Sequence, residues 1–456
     1  MATTYDVRIW KTKLYEGKRG NTYYVRWTVA GREWKEPFKT SALAESFRSD
    51  LVSAARKGEA FDTESGRPVS MVRTTNEMSW YEFACRFVDM KWPRVAATTR
   101  RTHAEAFTAL TPAMFTTTRG KPDDKLIRSA LSRWGFNTVG RGAEDCPDEV
   151  RAALRWVERN TRPVSALAKP EVLRPMLDSL TVRLDGKPAA SSVISRRRKI
   201  LNTAAEYAVE LGLLRANPIP ALKWKAPKAV QVVDPRCVPN PVQVRALLDG
   251  VREQGRVGRR LVAYYGCLYY AGMRPEEAAS LNKSHLAGVP AEGWGEFHLD
   301  GAEPYAGKEW TDSGKDRDRR QLKQRERGES RTAPCPPELT ALIRAHLDEF
   351  GTTPDGRLFV GDRNHQELPK LTVVRIWARA REAAFVPEVL ASPLAKRPYD
   401  LRHAAVSTWL NGGVPPTDVA EWAGQSVEVL FRIYAKCLDQ GKQQNRRRVQ
   451  AALGHL

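Results

Sequence analysis

Arg397-Pro398-Tyr399-Asp400-Leu401-Arg402-His403-Ala404-Ala405-Val406-Ser407 is the stretch on which the reading of this chain turns. Asp400 is a candidate helix cap, and the pattern after it predicts a helix to Leu410 that stops at Asn411-Gly412-Gly413. Arg402 then falls in the first turn, where unpaired backbone N–H groups and the helix dipole favour an anion. His403 beside it reads as a buried, hydrogen-bonded ring before it reads as a catalyst.

Upstream stands Leu268-Tyr269-Tyr270-Ala271-Gly272-Met273-Arg274-Pro275-Glu276-Glu277-Ala278-Ala279-Ser280-Leu281. An apolar helix stops at Gly272, and a second starts with Pro275 in its first position and two carboxylates in its first turn. Arg274 sits at that junction, placed as a phosphate clamp would need, although a surface arginine in a helix turn has the same signature. Downstream, Trp422-Ala423-Gly424-Gln425-Ser426-Val427 opens another helix capped by Ser426. Val427, Leu430, Phe431 and Tyr434 follow at helical spacing, and a tyrosine there ordinarily packs.

The chain has 456 residues, 74 Lys plus Arg against 53 Asp plus Glu, and a formal charge of +21. The length predicts two to four domains, and a hydrophobic content of 42% with 13 each of Trp, Tyr and Phe excludes a wholly disordered chain. No apolar run reaches membrane-helix length and no signal peptide opens the sequence, so an intracellular protein with no membrane partner is expected. Six scattered cysteines offer no C-x-x-C pair, and neither disulfides, a metal site nor a cofactor is expected. The charge points to a polyanion, nucleic acid ahead of an anionic membrane; a merely basic surface is the bland alternative.

Residues 1–70 read as a small three-stranded sheet plus helix: strands at 7–10, 22–29 and 32–38, a turn at Ala30-Gly31, and a helix from Ser41 to Lys57. Tyr23, Val25 and Trp27 would face the helix, leaving Tyr24, Arg26 and Thr28 on an open face able to read a DNA groove. From 75 to 222 the pattern is helical, with Trp80, Phe83, Phe87 and Met90 in register and Arg196-Arg197-Arg198-Lys199 on the last long helix as candidate phosphate contacts. Residues 223–240 hold three prolines, with Pro241 directly after them, and read as a linker; 241–456 is mixed but mostly helical, with a charged, strand-like region at 295–334. The fold class expected is mainly α with small β elements, α+β.

Taken together the three stretches resemble the tyrosine recombinase family, the phage-type integrases. The family's arginine box matches Ala271-Gly272-Met273-Arg274 with Glu277, its second box matches Tyr399-Asp400-Leu401-Arg402-His403, and its third matches Ala423-Gly424-Gln425 with Tyr434 nine residues on. Two positions depart from it: Tyr399 and Gln425 stand where the family usually has histidine. Each keeps a hydrogen-bonding group but neither shuttles protons near neutral pH.

The resemblance implies a site-specific recombinase that breaks and rejoins DNA through a 3′-phosphotyrosyl link, integrating or excising a mobile element such as a prophage. Tyr434 would be the nucleophile, with Arg274, Arg402 and Gln425 on the phosphate, Glu277 in support, and Tyr399, His403 or water assisting proton transfer. The family's hairpin lysine is best matched by Lys323, ahead of Lys308 and Lys315, because Arg331-Thr332-Ala333-Pro334 fits the strand that follows the hairpin; a charged loop with no single essential lysine is the alternative. Residues 1–70 and 75–222 would be arm-binding and core-binding DNA domains. The implied partners are duplex attachment sites, a tetramer of this chain when synapsed, and accessory proteins of the excisionase or DNA-bending type, in a bacterial cytoplasm at the nucleoid. Two other readings stay open: a catalytically impaired DNA-binding relative, and a type IB topoisomerase-like activity. The tail from Ala435, with Arg446-Arg447-Arg448, would dock on a neighbouring protomer or DNA, or stand as an exposed helix.

Overall fold

The computed structural model describes residues 2–454 apart from 18–19, 72–76, 184–185, 226, 228–231, 324–327, 363–366 and 438–441. Parts of the expected linker, charged region and tail therefore lie outside the described residues.

The N-terminal elements are β1 (Thr3–Thr4), β2 (Val7–Ile9), β3 (Lys13–Gly17), β4 (Gly20–Val29), β5 (Arg32–Phe38), α1 (Ser41–Arg56) and β6 (Phe61–Asp62). Alternation in β4 decides the packing: Val25, Trp27 and Val29 are buried, and α1 covers them with Ala44, Leu51 and Ala54. Ala30 and Gly31 have φ of 51° and 78°, the pair of left-handed residues that a tight hairpin between β4 and β5 needs. The sheet has four strands, not the expected three. One edge is broken in two, with β2 pairing Trp27–Val29 and β3 pairing Gly20–Tyr24. β3 buries none of its residues, so it carries no apolar alternation to read.

Six longer helices follow: α2 (Trp80–Lys91), α3 (Ala97–Leu110), α4 (Asp124–Ala130), α5 (Asp148–Arg159), α6 (Pro170–Ser179) and α7 (Ser191–Glu210). Trp80, Phe83 and Phe87 are fully buried with Phe107 and Leu201 in one core. That core also takes in Ala306 and Trp310 from far downstream.

The main remaining elements are α8 (Pro241–Arg252), α9 (Gly255–Tyr270), α10 (Pro275–Ala279), β7 (Gly295–Leu299), β8 (Arg331–Cys335), α11 (Pro337–Phe350), α12 (Lys370–Ala384), α13 (Asp400–Gly412), α14 (Pro416–Ala423), α15 (Val427–Tyr434) and α16 (Lys442–Ala452), with a further short helix at Pro387–Ala391. α9 is buried on almost every side, as expected of a helix apolar all round, and packs against α8, α11 and α13. β7 and β8 pair antiparallel, bringing Leu299 opposite Arg331. Asp400 is not the cap of α13: Tyr399 holds that position, and the buried Asp400 carboxylate accepts from Arg397 N and Nη2, each at 2.9 Å. The chain is mainly helical α+β. Among the described residues no helix is long and apolar enough to cross a membrane.

Candidate active site

The break between α9 and α10 puts Arg274 in place. Gly272 has φ +56°, and a Cβ there would lie 2.6 Å from the Trp409 ring of α13, so only glycine lets the chain turn so close to that helix. Arg274 caps α10 and is 7% exposed, a buried group and not a surface one. Glu277 holds it at both ends: Oε2 accepts from Arg274 N at 2.8 Å and Oε1 from Nη1 at 2.7 Å. Arg274 Nη2 reaches the Gly424 carbonyl at 2.6 Å. Arg402, in the first turn of α13 and 1% exposed, donates to the carbonyls of Gly272 and Ala423.

A third arginine joins them that sequence reasoning used only as a strand marker. Arg331 on β8 donates through Nη2 to Glu277 Oε2 at 2.6 Å and through Nη1 to the Trp422 carbonyl. Its signal was the strand's period of two, which places Arg331 on the face of buried Ala333 and Cys335. Burial pushes the Glu277 carboxyl up, but Arg331, then Arg274 and Arg402, outweigh it and hold it at about 2. Burial lowers the pKa of Arg331, aided by the like charges of Arg402 and Arg274 and opposed by Glu277. Three guanidinium groups against one carboxylate leave a buried excess of positive charge. Such an excess is costly until an anion meets it.

Tyr434 is 2% exposed, on the apolar stripe of α15, but it does more than pack. Its hydroxyl lies 2.9 Å from His403 Nδ1. Burial drives the phenol's pKa up, with the Arg402 charge opposing, so the hydroxyl stays protonated. Burial also lowers His403 to about 4, with Asp400 opposing and Arg397 and Arg402 assisting. The neutral ring can accept the phenol's hydrogen bond once its own proton is on Nε2. The Tyr399 ring stacks edge-on at 5.0 Å from His403.

Buried N–H donors without a protein acceptor mark the remaining wall: Arg402 Nε, Arg331 Nε and Gln425 Nε2. Gln425 follows the left-handed Gly424 that ends α14, and Ser426 caps α15 by accepting from Val429 N at 3.2 Å. Next to Tyr399 a cavity of 450 Å³ opens towards Thr98 of α3, lined by Tyr305, Arg317, Arg320, Lys370 and Arg397 among others.

Arg274, Glu277, Tyr399, Arg402, His403, Gln425 and Tyr434 thus converge. Lys323 is exposed beside buried Leu322, the last residue described before 324–327, and no described contact ties it to this cluster. Lys308 and Lys315 are also exposed. Arg26 stands on the open face of the small sheet, 5.6 Å over the Trp10 ring and 3.6 Å from Glu33. On α7, Arg196 and Lys199 are exposed, whereas Arg197 and Arg198 are half-buried and Arg197 donates to the Val182 carbonyl at 3.3 Å. Among the described residues no group of three or more His, Cys, Asp or Glu could hold a metal ion.

Fold and site define an α+β protein in which a buried tyrosine, hydrogen-bonded to a histidine, adjoins a cluster of three buried arginines around one carboxylate. No family model and no curated protein matches the chain. Among solved structures it is similar to the Tn1549 transposon integrase in complex with a circular intermediate DNA (14% identity over 73% of this chain and 98% of that one, TM-score 0.46). It is also similar to a lambda integrase tetramer bound to a Holliday junction (13%, 91% and 95%, 0.46) and to the XerH site-specific recombinase bound to its difH substrate (12%, 82% and 94%, 0.46).

Proposed function

We propose that this chain is a tyrosine-type site-specific DNA recombinase. The observation that carries the reading is the Tyr434 hydroxyl, 2.9 Å from His403 Nδ1, beside Arg274 and Arg402 with orphaned buried donors around them. Tyr434 Oη attacks the scissile phosphorus and the bond to the 5′ oxygen breaks, leaving a 3′-phosphotyrosyl link and a free 5′-hydroxyl. Because the phenol is held protonated, its proton leaves as the new bond forms. His403 is the acceptor within reach, and an incoming phosphate, being anionic, raises the ring's low basicity. Arg274, Arg402 and Gln425 Nε2 hold the charge that gathers on the non-bridging oxygens; losing one such donor costs about 10²–10³ in rate. Lys323 protonates the departing oxygen. Attack by a partner strand's 5′-hydroxyl reverses the step, so no energy cofactor is needed.

The partners proposed are duplex attachment sites and three further copies of the chain at synapsis, with excisionase or DNA-bending proteins as accessories in a bacterial cytoplasm. Residues 1–70 and 75–222 serve as arm-binding and core-binding domains, 223–240 as linker, and 241–456 as catalytic domain and tail. The test is a nicked suicide duplex built on the direct repeats that border the element carrying the gene. The wild type is expected to be trapped covalently, and Tyr434→Phe to leave nothing trapped. Absence of a trapped complex on a site the protein demonstrably binds would return it to the class of impaired DNA-binding relatives. Relaxation of supercoils without any exchange between two sites would make it topoisomerase-like. On the same duplex Lys323→Ala is expected to slow cleavage more than it weakens binding; a normal rate there, with loss in Lys308→Ala or Lys315→Ala, moves the proton donor to that lysine.

A further inference from the structure

Three guanidinium groups meet three consecutive carbonyls. Arg331 donates to Trp422 O, Arg402 to Ala423 O and Arg274 to Gly424 O. These carbonyls belong to the last turn of α14 and its left-handed cap, where a helix leaves acceptors unpaired and its dipole is negative. The turn that carries Gln425 is thus held by cations from β8, α13 and the start of α10. The fit is close: a Cβ on Gly424, which has φ +58°, would lie 3.0 Å from Arg331 Cδ and 3.3 Å from Arg274 Nη1.

Arg331 has a second partner, Glu277, which it shares with Arg274. Glu277 spends Oε1 on the Arg274 guanidinium and Oε2 on the Arg274 backbone, and Arg331 shares that Oε2 at 2.6 Å. The carboxylate is 1% exposed, so no solvent steadies it if Arg331 is lost. A carboxylate freed on one side would swing, taking Arg274 with it. We propose that Arg331 is a positioning residue for the strand-breaking reaction, fixing Arg274 through Glu277 and Gln425 through the Trp422 carbonyl. The inference rests on the recombinase reading of the site.

The experiment compares single-turnover cleavage of the nicked suicide duplex with cleavage of the same duplex carrying a methylphosphonate at the scissile position. A neutral phosphorus centre has less need of cations held in fixed places. Arg331→Met is expected to bind the duplex as the wild type does yet cleave it about 10²-fold more slowly. Arg331→Lys, which keeps the charge but offers no planar fork, should recover part of the rate. On the methylphosphonate both deficits should shrink. Wild-type cleavage by Arg331→Met overturns the inference, as does a deficit of equal size on both substrates, which marks a purely structural role. Should Arg331→Met lack a cooperative melt, Arg331→Lys carries the same comparison. A wild type that forms no covalent product sinks the recombinase reading and this inference together, whereas failure of the inference alone leaves the wild-type product intact.

Discussion

His403 holds the Tyr434 hydroxyl at 2.9 Å while its own pKa is depressed to about 4 from 6.5. The unfolded chain takes up this proton as pH falls through 6.5, the folded chain only near 4, so the ring stabilises the fold above about pH 6.5 and that contribution is lost progressively down to about 4. The loss amounts to about 3 kcal/mol. Glu277 extends the acid sensitivity, since a carboxyl lowered from 4.5 to about 2 contributes fully above 4.5 and loses its contribution as pH falls to 2. His403→Phe is therefore expected to flatten the fall in stability between pH 6.5 and 4, measured by urea unfolding, and to slow cleavage at neutral pH by about 10²-fold or more. An unchanged pH profile with normal cleavage would leave the ring as packing. Arg274, Arg402 and Tyr434 were legible because three short stretches fix one another's meaning by order and spacing. The hydrogen bond of His403 to Tyr434 was less legible, because adjacency to Arg402 in sequence says nothing of a tyrosine thirty-one residues away. Arg331 was hidden for a different reason: an arginine in a charged region reads as solvated unless the strand's inward register is applied to it.

At the scale of elements, the sequence carries the hairpin of β4 and β5, helix α1 and the helical runs, all places where apolar period and turn residues agree. It does not reveal what the excursion between β7 and β8 packs against. There the run from 301 to 320 crosses to the helical region and anchors on it through the Trp310 indole and several hydrogen bonds. Trp310 is 4% exposed, 5.9 Å from the Trp92 ring, and Arg100 donates to its carbonyl at 3.0 Å while clasping Asp312 at 2.7 and 2.9 Å. Asn137 Nδ2 donates to the Glu309 carbonyl at 2.8 Å. The anchor was illegible because local charge dominates the run, and its partners lie some two hundred residues upstream. On the return side Arg317 donates to Glu303 O at 2.6 Å, and Glu303 is paired to Arg357 of the C-terminal region at 2.6 Å. Trp310→Ala should cost about 3–5 kcal/mol, the range for deleting a buried indole. Because this strap joins two separate cores, the loss is expected as an early transition in urea unfolding and faster proteolysis within 301–320, with α2 and α9 still folded. A single transition at the wild-type midpoint would show that the strap does not couple them.

For the whole molecule, the recombinase proposed above would divide its charge of +21 between the reacting phosphate and the rest of the duplex. On that proposal the buried arginines around Glu277 would serve one phosphate, and the long-range grip would fall to surface cations. Their geometry makes the run on α7 unequal: Arg196 and Lys199 face solvent, whereas Arg197 bonds the Val182 carbonyl and is itself partly desolvated, which lowers its pKa. A cation that neutralises a DNA phosphate releases a counterion, and each such contact adds about 0.9 to the slope of log K against log salt. Arg196→Ala and Lys199→Ala are therefore each expected to reduce that slope by about one, weakening cognate and random duplexes alike. Arg197→Ala should leave the slope unchanged and act on stability instead. Fluorescence titrations across a range of salt concentrations measure all three variants with both duplexes. Slopes that stay at the wild-type value in Arg196→Ala and Lys199→Ala would take α7 off the DNA and leave the long-range grip to other surfaces, among them the open face that carries Arg26, Lys35 and Tyr24 on the small sheet.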